Sequence, residues 1–262
     1  MNIIVCVKQV PASSKTTQVD PETGLLLRLG TESRMNPYDL FAMETALRLR
    51  QVYGGSITVI TMGPDQAEDV IREAFALGAD DGVLVTDRRF AGADVLATSY
   101  TLSQAIRHIG AFDLILCGKQ TTDGDTAQVG SELAEQLYIP SVANVSTVSI
   151  EDGRAAVTYE IGENIVSARI DLPCLICVDK DICTPRLPSY VKRKVSAGKQ
   201  VRVLCMDDLP DKNPMHYGLD GSPTQVKRVF PPESETIHEI WQDSPSEMAE
   251  RLTDILADAG VI

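Results

Sequence analysis

The stretch LILCGKQTTDGDTAQVG, residues 114–130, joins a predicted strand to a predicted helix. Its first three residues are aliphatic, which is typical of a buried strand, and the residues after Gly130 have the apolar spacing of an amphipathic helix. Gly118 and Gly124 allow backbone angles that other residues rarely adopt, and Thr126 adds a hydroxyl. The first N–H groups of a helix are unpaired and bind phosphate well. The stretch therefore predicts either a phosphate-binding loop or an ordinary strand-to-helix turn.

The same stretch has neither the Gly-Lys-Ser/Thr ending of the Walker loop nor the GxGxxG dinucleotide fingerprint. Asp123 and Asp125 could hold Mg²⁺ beside a phosphate. An aspartate near a helix start more often caps the helix, so we expect capping. Both carboxylates would repel a phosphate unless they turned outward.

Short aliphatic runs recur along the first half of the chain and predict buried strands at 3–7, 57–61, 83–86 and 114–117. Helices are predicted between them, from Asn36-Pro37, from Gly63-Pro64 to Gly78, from Asp94 to about 108, and over 126–137. This alternation over residues 1–140 predicts an α/β fold with a doubly wound, mainly parallel sheet. Ligands bind such sheets at the carboxyl ends of the strands.

The pattern changes after about residue 142. Alternating segments at 155–159 and 165–170 surround a turn at Gly162, and an apolar run follows at 174–178; we expect all three to be antiparallel strands. Residues 206–243 are rich in proline, so we expect them to lie along a partner. A capping box at 244–247 begins a final helix. The predicted organisation is a nucleotide-binding α/β domain over 1–205 and an arm with a helix over 206–262.

Composition narrows the possible functions of the 262-residue chain. A formal net charge of −13 disfavours nucleic acid and anionic membranes as partners, and no apolar run is long enough to span a membrane. We therefore expect a cytoplasmic protein without membrane insertion. Six cysteines, mostly within apolar runs, indicate reduced structural thiols rather than disulfides or a metal site. The three histidines lie far apart, so no catalytic residue is predicted.

One cluster of basic residues carries positive charge, although the net charge of the chain is negative. Such a cluster is either a solvated face or a docking patch for an acidic partner. Its members are Arg186, Lys192, Arg193, Lys194, Lys199 and Arg202.

Several motifs together resemble the beta subunits of electron transfer flavoproteins. The motifs are VCVKQVP at 5–11, MNP at 35–37, TMGP at 61–64, GAD at 78–80 and at 92–94, the loop at 118–130, and GSPTQV at 221–226. The resemblance implies a heterodimer with an alpha subunit that carries an FAD. It also implies that the beta chain binds a second nucleotide in the predicted crevice.

The nucleotide differs between subgroups of that family. Housekeeping members bind a structural AMP, whereas electron-bifurcating members bind a second FAD that accepts hydride from NADH. The segment VDPETGLLLRLG at 19–30 resembles the bifurcating type, which implies FAD, NADH as donor, and ferredoxin as one acceptor. The other acceptor would be a flavin-containing dehydrogenase of the acyl-CoA dehydrogenase type. Lys119 and the pair Thr121-Thr122 depart from the usual arginine and apolar pair of the family.

The resemblance also assigns site residues. Lys8, Gln9 and Met62 would border the adenosine, with Asn36 near the crevice. Cys117 would line the crevice at the end of its strand. The phosphates would be held through backbone N–H groups and one hydroxyl by Asp123, Gly124, Asp125, Thr126, Ala127, Gln128 and Val129. Arg186, Leu187 and Pro188 match a recognition loop whose exposed leucine inserts into the dehydrogenase. The alternative from another class is a nucleotide-sensing module of the universal-stress type, which would bind ATP tightly without a flavin partner.

Overall fold

The computed structural model describes residues 1–12, 33–227 and 239–262, together with the backbone of residues 18–19 and 26–27. The chain forms two compact units, Met1–Arg228 and Val229–Ile262. Most of the segment at 19–30, which resembles the bifurcating type, lies outside the described residues.

The bounds of the elements are as follows. The strands are β1 (Asn2–Cys6), β2 (Gln9–Pro11), β3 (Gln18–Val19), β4 (Leu26–Leu27), β5 (Ser33–Met35), β6 (Ser56–Met62), β7 (Asp81–Val85), β8 (Leu114–Gly118), β9 (Ser141–Glu151), β10 (Arg154–Ile161), β11 (Asn164–Asp171), β12 (Cys174–Val178) and β13 (Arg202–Leu204). The helices are α1 (Pro37–Tyr53), α2 (Glu68–Leu77), α3 (Val95–Ile109), α4 (Val129–Leu137), α5 (Tyr190–Ser196) and α6 (Pro245–Asp258).

Within the described residues, the main sheet has nine strands in the order β11-β10-β9-β12-β8-β1-β6-β7-β13. The central strands β12, β8, β1, β6 and β7 are parallel to their neighbours. Their aliphatic runs are buried on both faces because helices cover both sides of the sheet. The predicted doubly wound, mainly parallel α/β fold is confirmed.

The main sheet has one apolar layer on each face, and alternate side chains of β1 belong to different layers. Ile3 and Val5 pack with α1 and α2, whereas Ile4 packs with α3 and α4 on the other face. The chain proceeds from β1 through β6 to β7 on one side and then returns to place β8 on the other side of β1. The strand order therefore reverses between β1 and β8. In a doubly wound sheet, this reversal is where a ligand crevice forms.

Most of the residues that predict helix starts and ends occupy those positions in the structure. Pro37 begins α1, the Asp94 side chain accepts a hydrogen bond from the Ala97 N–H at the start of α3, and Gly78 ends α2 with a φ of 130°. The exception is α4, which begins at Val129 rather than at residue 126. Asp125 and Ala127 have φ values of 50° and 53°, which a helix cannot accommodate.

The strands beyond residue 141 follow the prediction in part. β10 pairs antiparallel with β9 and β11, and Gly162 lies in the turn with a φ of 57°. The expectation that 174–178 would also be antiparallel is wrong, because β12 pairs in parallel with both β8 and β9. An apolar run buried on both faces is typical of a parallel strand, and β12 is buried throughout.

The first compact unit continues beyond residue 205, the predicted end of the α/β domain. Leu209 and Tyr217 are buried in the core formed with α3 and α4. The phenol of Tyr217 donates to the Asp211 carbonyl, and the Tyr100 phenol of α3 donates to the Asp211 carboxylate at 2.7 Å. Residues 206–227 are thus part of this unit, and the boundary lies at 228 instead. That the remaining arm follows a partner stays a prediction.

Helix α6 has the predicted capping box, in which Ser244 and Glu247 each accept a hydrogen bond from the other residue's N–H. Leu252 and Ile255 are exposed on it. Across the described part of the chain, no helix has both the length and the apolarity that crossing a membrane requires.

Candidate functional site

A crevice lies at the carboxyl ends of the central strands. Lys8, Gln9 and Met62 line one pocket there, as the resemblance implied for the adenosine region. The other lining residues are Val10, Pro11, Ser33, Gly63, Pro64, Gln66 and Ala67. The Gln9 side chain donates to the Gln66 carbonyl at 2.9 Å and so joins the strand ends across the pocket.

Asp39 is the buried centre of the crevice floor. Its carboxylate accepts hydrogen bonds from the Lys8 N–H at 2.7 Å, from the Asn36 amide at 2.9 Å and from the Gly118 N–H. Lys8 follows β1 and Gly118 ends β8, so Asp39 joins the two strands between which the sheet order reverses. Burial raises the pKa of Asp39 to about 7, against the lowering effect of these hydrogen bonds.

The close approach of Asp39 to the backbone at position 118 requires a glycine there. A Cβ atom at Gly118 would lie 2.5 Å from Asp39 Oδ1 and 2.6 Å from the Tyr38 carbonyl carbon. Sequence analysis missed Asp39 as a site residue, because an acid in the first turn of a helix ordinarily serves the helix dipole. The available signal was its position next to Asn36, in the same turn.

Asn36 connects the start of α1 to the loop that follows β8. It does not cap α1 with its side chain. Its amide instead donates to the Gln120 carbonyl at 2.8 Å, and its Oδ1 accepts from the Thr122 N–H at 3.3 Å. Asn36 therefore fixes the loop that follows β8, and its place beside a bound nucleotide stays a prediction.

The loop at 119–128 turns its backbone through two left-handed residues, Asp125 and Ala127. The Asp125 carboxylate accepts from the Gln120 side chain at 2.6 Å. The N–H groups of Thr126, Ala127 and Gln128 donate to no acceptor among the described residues. Consecutive free N–H groups in such a turn, leading into a helix N-terminus, form a concave anion site. We refer to these three N–H groups as the amide cradle.

The expectation that Asp123 and Asp125 cap the helix is wrong. The N-cap of α4 is Gln128, without a side-chain cap. Asp123 pairs with Lys8, with 2.7 Å between Oδ2 and Nζ. Both acids are thus engaged by neighbouring groups, which reduces their repulsion of a phosphate at the amide cradle.

Lys119, at the position where the family usually has arginine, forms an ion pair with Asp179. Its Nζ lies 2.8 Å from Asp179 Oδ2, and its N–H donates to the Val178 carbonyl. The cation therefore holds the end of β8 to the end of β12. Lys8 is the cation that borders the crevice.

Cys117 and Gly130 fix the base of the loop. Cys117 is buried in β8, and a Cβ at Gly130 would lie 2.3 Å from the Cys177 sulfur of β12. Helix α4 therefore packs directly on β12 at its first turn. Val129 is half-buried beside Gly130.

The described part of the chain contains no group of three or more histidine, cysteine or acidic residues placed to hold a metal ion. Cys174 and Cys177 are free thiols and belong to the apolar layers on opposite faces of the sheet.

The predicted recognition loop is anchored to α1 at Arg186 and exposed at Leu187. Leu187 is 88% exposed, whereas the Arg186 guanidinium is bound bidentately by Glu44 of α1 at 2.6 and 3.0 Å. Exposed apolar side chains continue from Leu187 along α5, namely Tyr190, Val191 and Val195. We call Leu187, Pro188 and these three residues the α5 surface.

Four of the six cations of the basic cluster bind groups of the chain itself. Besides Arg186, these are Lys192, which donates to the Leu77 carbonyl, Lys199, which donates to the Ala79 carbonyl, and Arg202, which pairs with Asp81. Among the cluster's members, all of which the structure describes, only Arg193 and Lys194 have no side-chain partner. The free positive charge beside the α5 surface is therefore smaller than the sequence indicated.

A nucleotide fits the arrangement of these groups. The amide cradle offers donors for phosphate oxygens, and Lys8 offers a cation at the same edge. The pocket beside Met62 and Gln66 combines apolar walls with backbone groups that suit a planar base.

Comparisons with known proteins agree with the resemblance. Residues 23–207 match the family described as "Electron transfer flavoprotein domain". The Electron transfer flavoprotein subunit beta of Thermoanaerobacterium thermosaccharolyticum is 43% identical over 265 residues, covering 100% of both chains. Protein FixA of Azorhizobium caulinodans is 42% identical over 263 residues, covering 94% of this chain and 92% of FixA. The Caffeyl-CoA reductase-Etf complex subunit CarD of Acetobacterium woodii is 40% identical over 233 residues, covering 88% of each chain. The chain therefore belongs to the electron transfer flavoprotein family, as a subunit of the beta type that serves electron transfer.

Proposed function

We propose that the chain binds FAD in the crevice between β1 and β8 and takes part in electron bifurcation with an alpha subunit. The observation that carries the proposal is the amide cradle, whose three N–H groups have no acceptor among the described residues. A pyrophosphate is the group that best fits such donors at a helix start. When bound, FAD would supply hydride acceptance from NADH and release of single electrons.

The residues of the chain bind and orient the nucleotide in this proposal. Thr126, Ala127 and Gln128 hold the phosphates through their N–H groups, and Lys8 offsets the remaining charge. Gln9 and Met62 border the adenosine. Asp39 and Asn36 position the loop and the strand ends. None of these groups is an acid, base or nucleophile for the redox step, so the contribution of the protein is position and electrostatics.

The choice of FAD over AMP rests on the segment at 19–30, which resembles the bifurcating type. The name of CarD assigns that protein to a complex with a caffeyl-CoA reductase, and this similarity favours a CoA-thioester enzyme as the docking partner. Ferredoxin as the second acceptor and a cytoplasmic location belong to the same proposal. A housekeeping carrier with structural AMP is the competing outcome.

An acceptor-coupling assay tests bifurcation directly. The native complex with its alpha subunit is given NADH with ferredoxin alone, with the dehydrogenase and its substrate alone, or with both. Bifurcation predicts NADH oxidation that requires both acceptors, with one electron of each pair reaching ferredoxin. If NADH fails to reduce the complex under every condition, the chain is part of a conventional carrier.

Ala127 provides a matched pair of variants for the nucleotide site. Its φ of 53° disfavours a β-branched side chain but suits glycine. We expect Ala127→Val to lose bound nucleotide and Ala127→Gly to retain it, measured by mass spectrometry of the released nucleotide. Full occupancy in Ala127→Val would show that another loop holds the phosphates.

The docking proposal for the α5 surface is tested by Leu187→Ala in the complex. We expect a higher KM for the cognate dehydrogenase and unchanged nucleotide content, because the side chain is 88% exposed and supports no core. Ile165→Ala, which removes another exposed aliphatic side chain on β11, is the control. Equal kinetics for both variants would contradict docking through Leu187.

A further inference from the structure

Three cysteines lie at the last or the second-last position of three neighbouring strands of the sheet. The register pairs Cys117 of β8 with Cys6 of β1 on one side and with Cys177 of β12 on the other. Register partners in adjacent strands point to the same face, with about 4.8 Å between the strands. All three side chains belong to, or pack against, the apolar layer that α3 and α4 cover. We call these three residues the thiol row.

The thiols of the row differ in their access to solvent. Cys6 is half-buried, whereas Cys117 and Cys177 are buried. The neighbouring Cys177 lowers the pKa of Cys117, but Cys6 and burial raise it more, to well above the ordinary value. A thiol that stays protonated reacts slowly with oxidants. Cys6 is therefore the member that a small oxidant reaches first.

The row crosses the point where the strand order reverses. Lys8 follows Cys6 by two residues, Gly118 directly follows Cys117, and Asp39 binds the N–H groups of both Lys8 and Gly118. Cys6 and Cys117 thus lie two residues and one residue before the strand ends that Asp39 joins, on the side of the sheet that α3 and α4 cover.

We propose that the thiol row is an oxidation site just before the strand ends that form the crevice, where a hydroperoxide links Cys6 to Cys117 and a bound nucleotide prevents it. The protective part rests on the proposed nucleotide site. The separation of adjacent strands lies within the range of about 4.4–6.8 Å between the Cα atoms of a disulfide.

The chemistry balances in two steps. The Cys6 sulfur attacks the O–O bond of the hydroperoxide, which leaves Cys6 as a sulfenic acid and releases water or an alcohol. The Cys117 sulfur then attacks the Cys6 sulfur, forming the S–S bond and breaking the S–O bond. The departing hydroxide takes the Cys117 proton and leaves as water. Two thiols are oxidised and one hydroperoxide is reduced.

Peptide mapping tests this proposal on the native complex. Samples that retain their nucleotide and samples freed of it by chaotropic salt are treated with hydrogen peroxide, alkylated and digested with trypsin. We expect a cross-link between the peptides at 1–8 and 108–119, with the loss of two hydrogen atoms. Retained nucleotide should slow its formation by about tenfold or more, because a covered thiol reacts slowly.

Three cysteine variants test whether the cross-link forms specifically within the thiol row or through general oxidation of any thiol. Cys6→Ser should abolish the cross-link, and Cys117→Ser should leave Cys6 oxidised to the sulfinic acid without a cross-link. Cys205→Ser removes a half-buried thiol outside the row and should change nothing.

Three results would overturn the proposal. These are a cross-link of Cys117 to Cys177 in place of Cys6, a sulfinic acid at Cys6 of the unmodified protein without any cross-link, and equal rates with and without nucleotide. The nucleotide released from the same samples is identified by mass spectrometry. If the untreated complex contains no nucleotide and the cross-link still forms, the proposed nucleotide site is wrong, whereas the oxidation of Cys6 and Cys117 remains supported.

Discussion

The buried carboxyl of Asp39 makes the stability of the fold depend on pH in a direction opposite to that of most aspartates. Asp39 is 5% exposed, and burial raises its pKa from 3.8 to about 7. Replacing it by asparagine removes the titration while keeping the size of the side chain. The perturbation therefore isolates the contribution of one proton.

The sign follows from proton binding in the two states. Between pH 4 and pH 7 the folded protein keeps the Asp39 proton, whereas the unfolded chain has lost it. Stability from this group is therefore greatest at low pH and falls as the pH rises to about 7. Between pH 5 and pH 8 the loss is on the order of 3 kcal/mol, obtained from the two pKa values at about 1.4 kcal/mol per unit.

Urea unfolding of the full chain, followed by circular dichroism at pH 5 and pH 8, measures this effect. We expect the free energy of unfolding of the unmodified protein, relative to Asp39→Asn, to fall by about 3 kcal/mol between pH 5 and pH 8. Glu163→Gln, which removes an exposed carboxyl in the β10–β11 turn, is the control and should show no such change. A difference that is constant, or that rises with pH, would refute the account of Asp39 as a buried carboxyl with a raised pKa.

Three further substitutions probe stability, each by urea unfolding. Thr61→Val should stabilise the protein by about 1 kcal/mol, because the Thr61 hydroxyl is buried and has no hydrogen-bond partner in the part of the chain that the structure describes; a loss of stability would contradict this. Gly130→Ala should destabilise it by about 1–3 kcal/mol through the clash with the Cys177 sulfur, and by less in a Cys177→Ala background; equal losses in both backgrounds would argue against that contact. Asp94→Ala should cost about 1–2 kcal/mol, since it removes the α3 cap and the hydrogen bonds from Thr224; a neutral result would mean that water replaces them.

Much of the fold could be predicted because the signals were local. The aliphatic runs, the cap at Asp94 and the glycine at 78 each act within one element. The direction of β12 could not be predicted, because it depends on which strands lie beside it. The same apolar run suits a parallel or an antiparallel neighbour, and tertiary context decides.

The candidate site was predicted in its residue types but not in its contacts. The glycine and threonine content of the loop indicated an anion site, and phosphate binding at the amide cradle stays a prediction. The partners of Asp123 and Asp125 are Lys8 and Gln120, and the former is distant in sequence. Asp39 and Cys6 were missed because their importance comes from the meeting of β1, β8 and α1, which no single segment encodes.

The most direct test of the central claim is a count of the nucleotides in the native complex. The complex is purified with its alpha subunit, its nucleotides are released with acid, and they are identified by mass spectrometry and quantified by absorbance. The account predicts two FAD per heterodimer, one of them lost in Ala127→Val. One FAD with one AMP would contradict bifurcation while keeping the crevice as a nucleotide site. One FAD with no second nucleotide would contradict the proposed site itself.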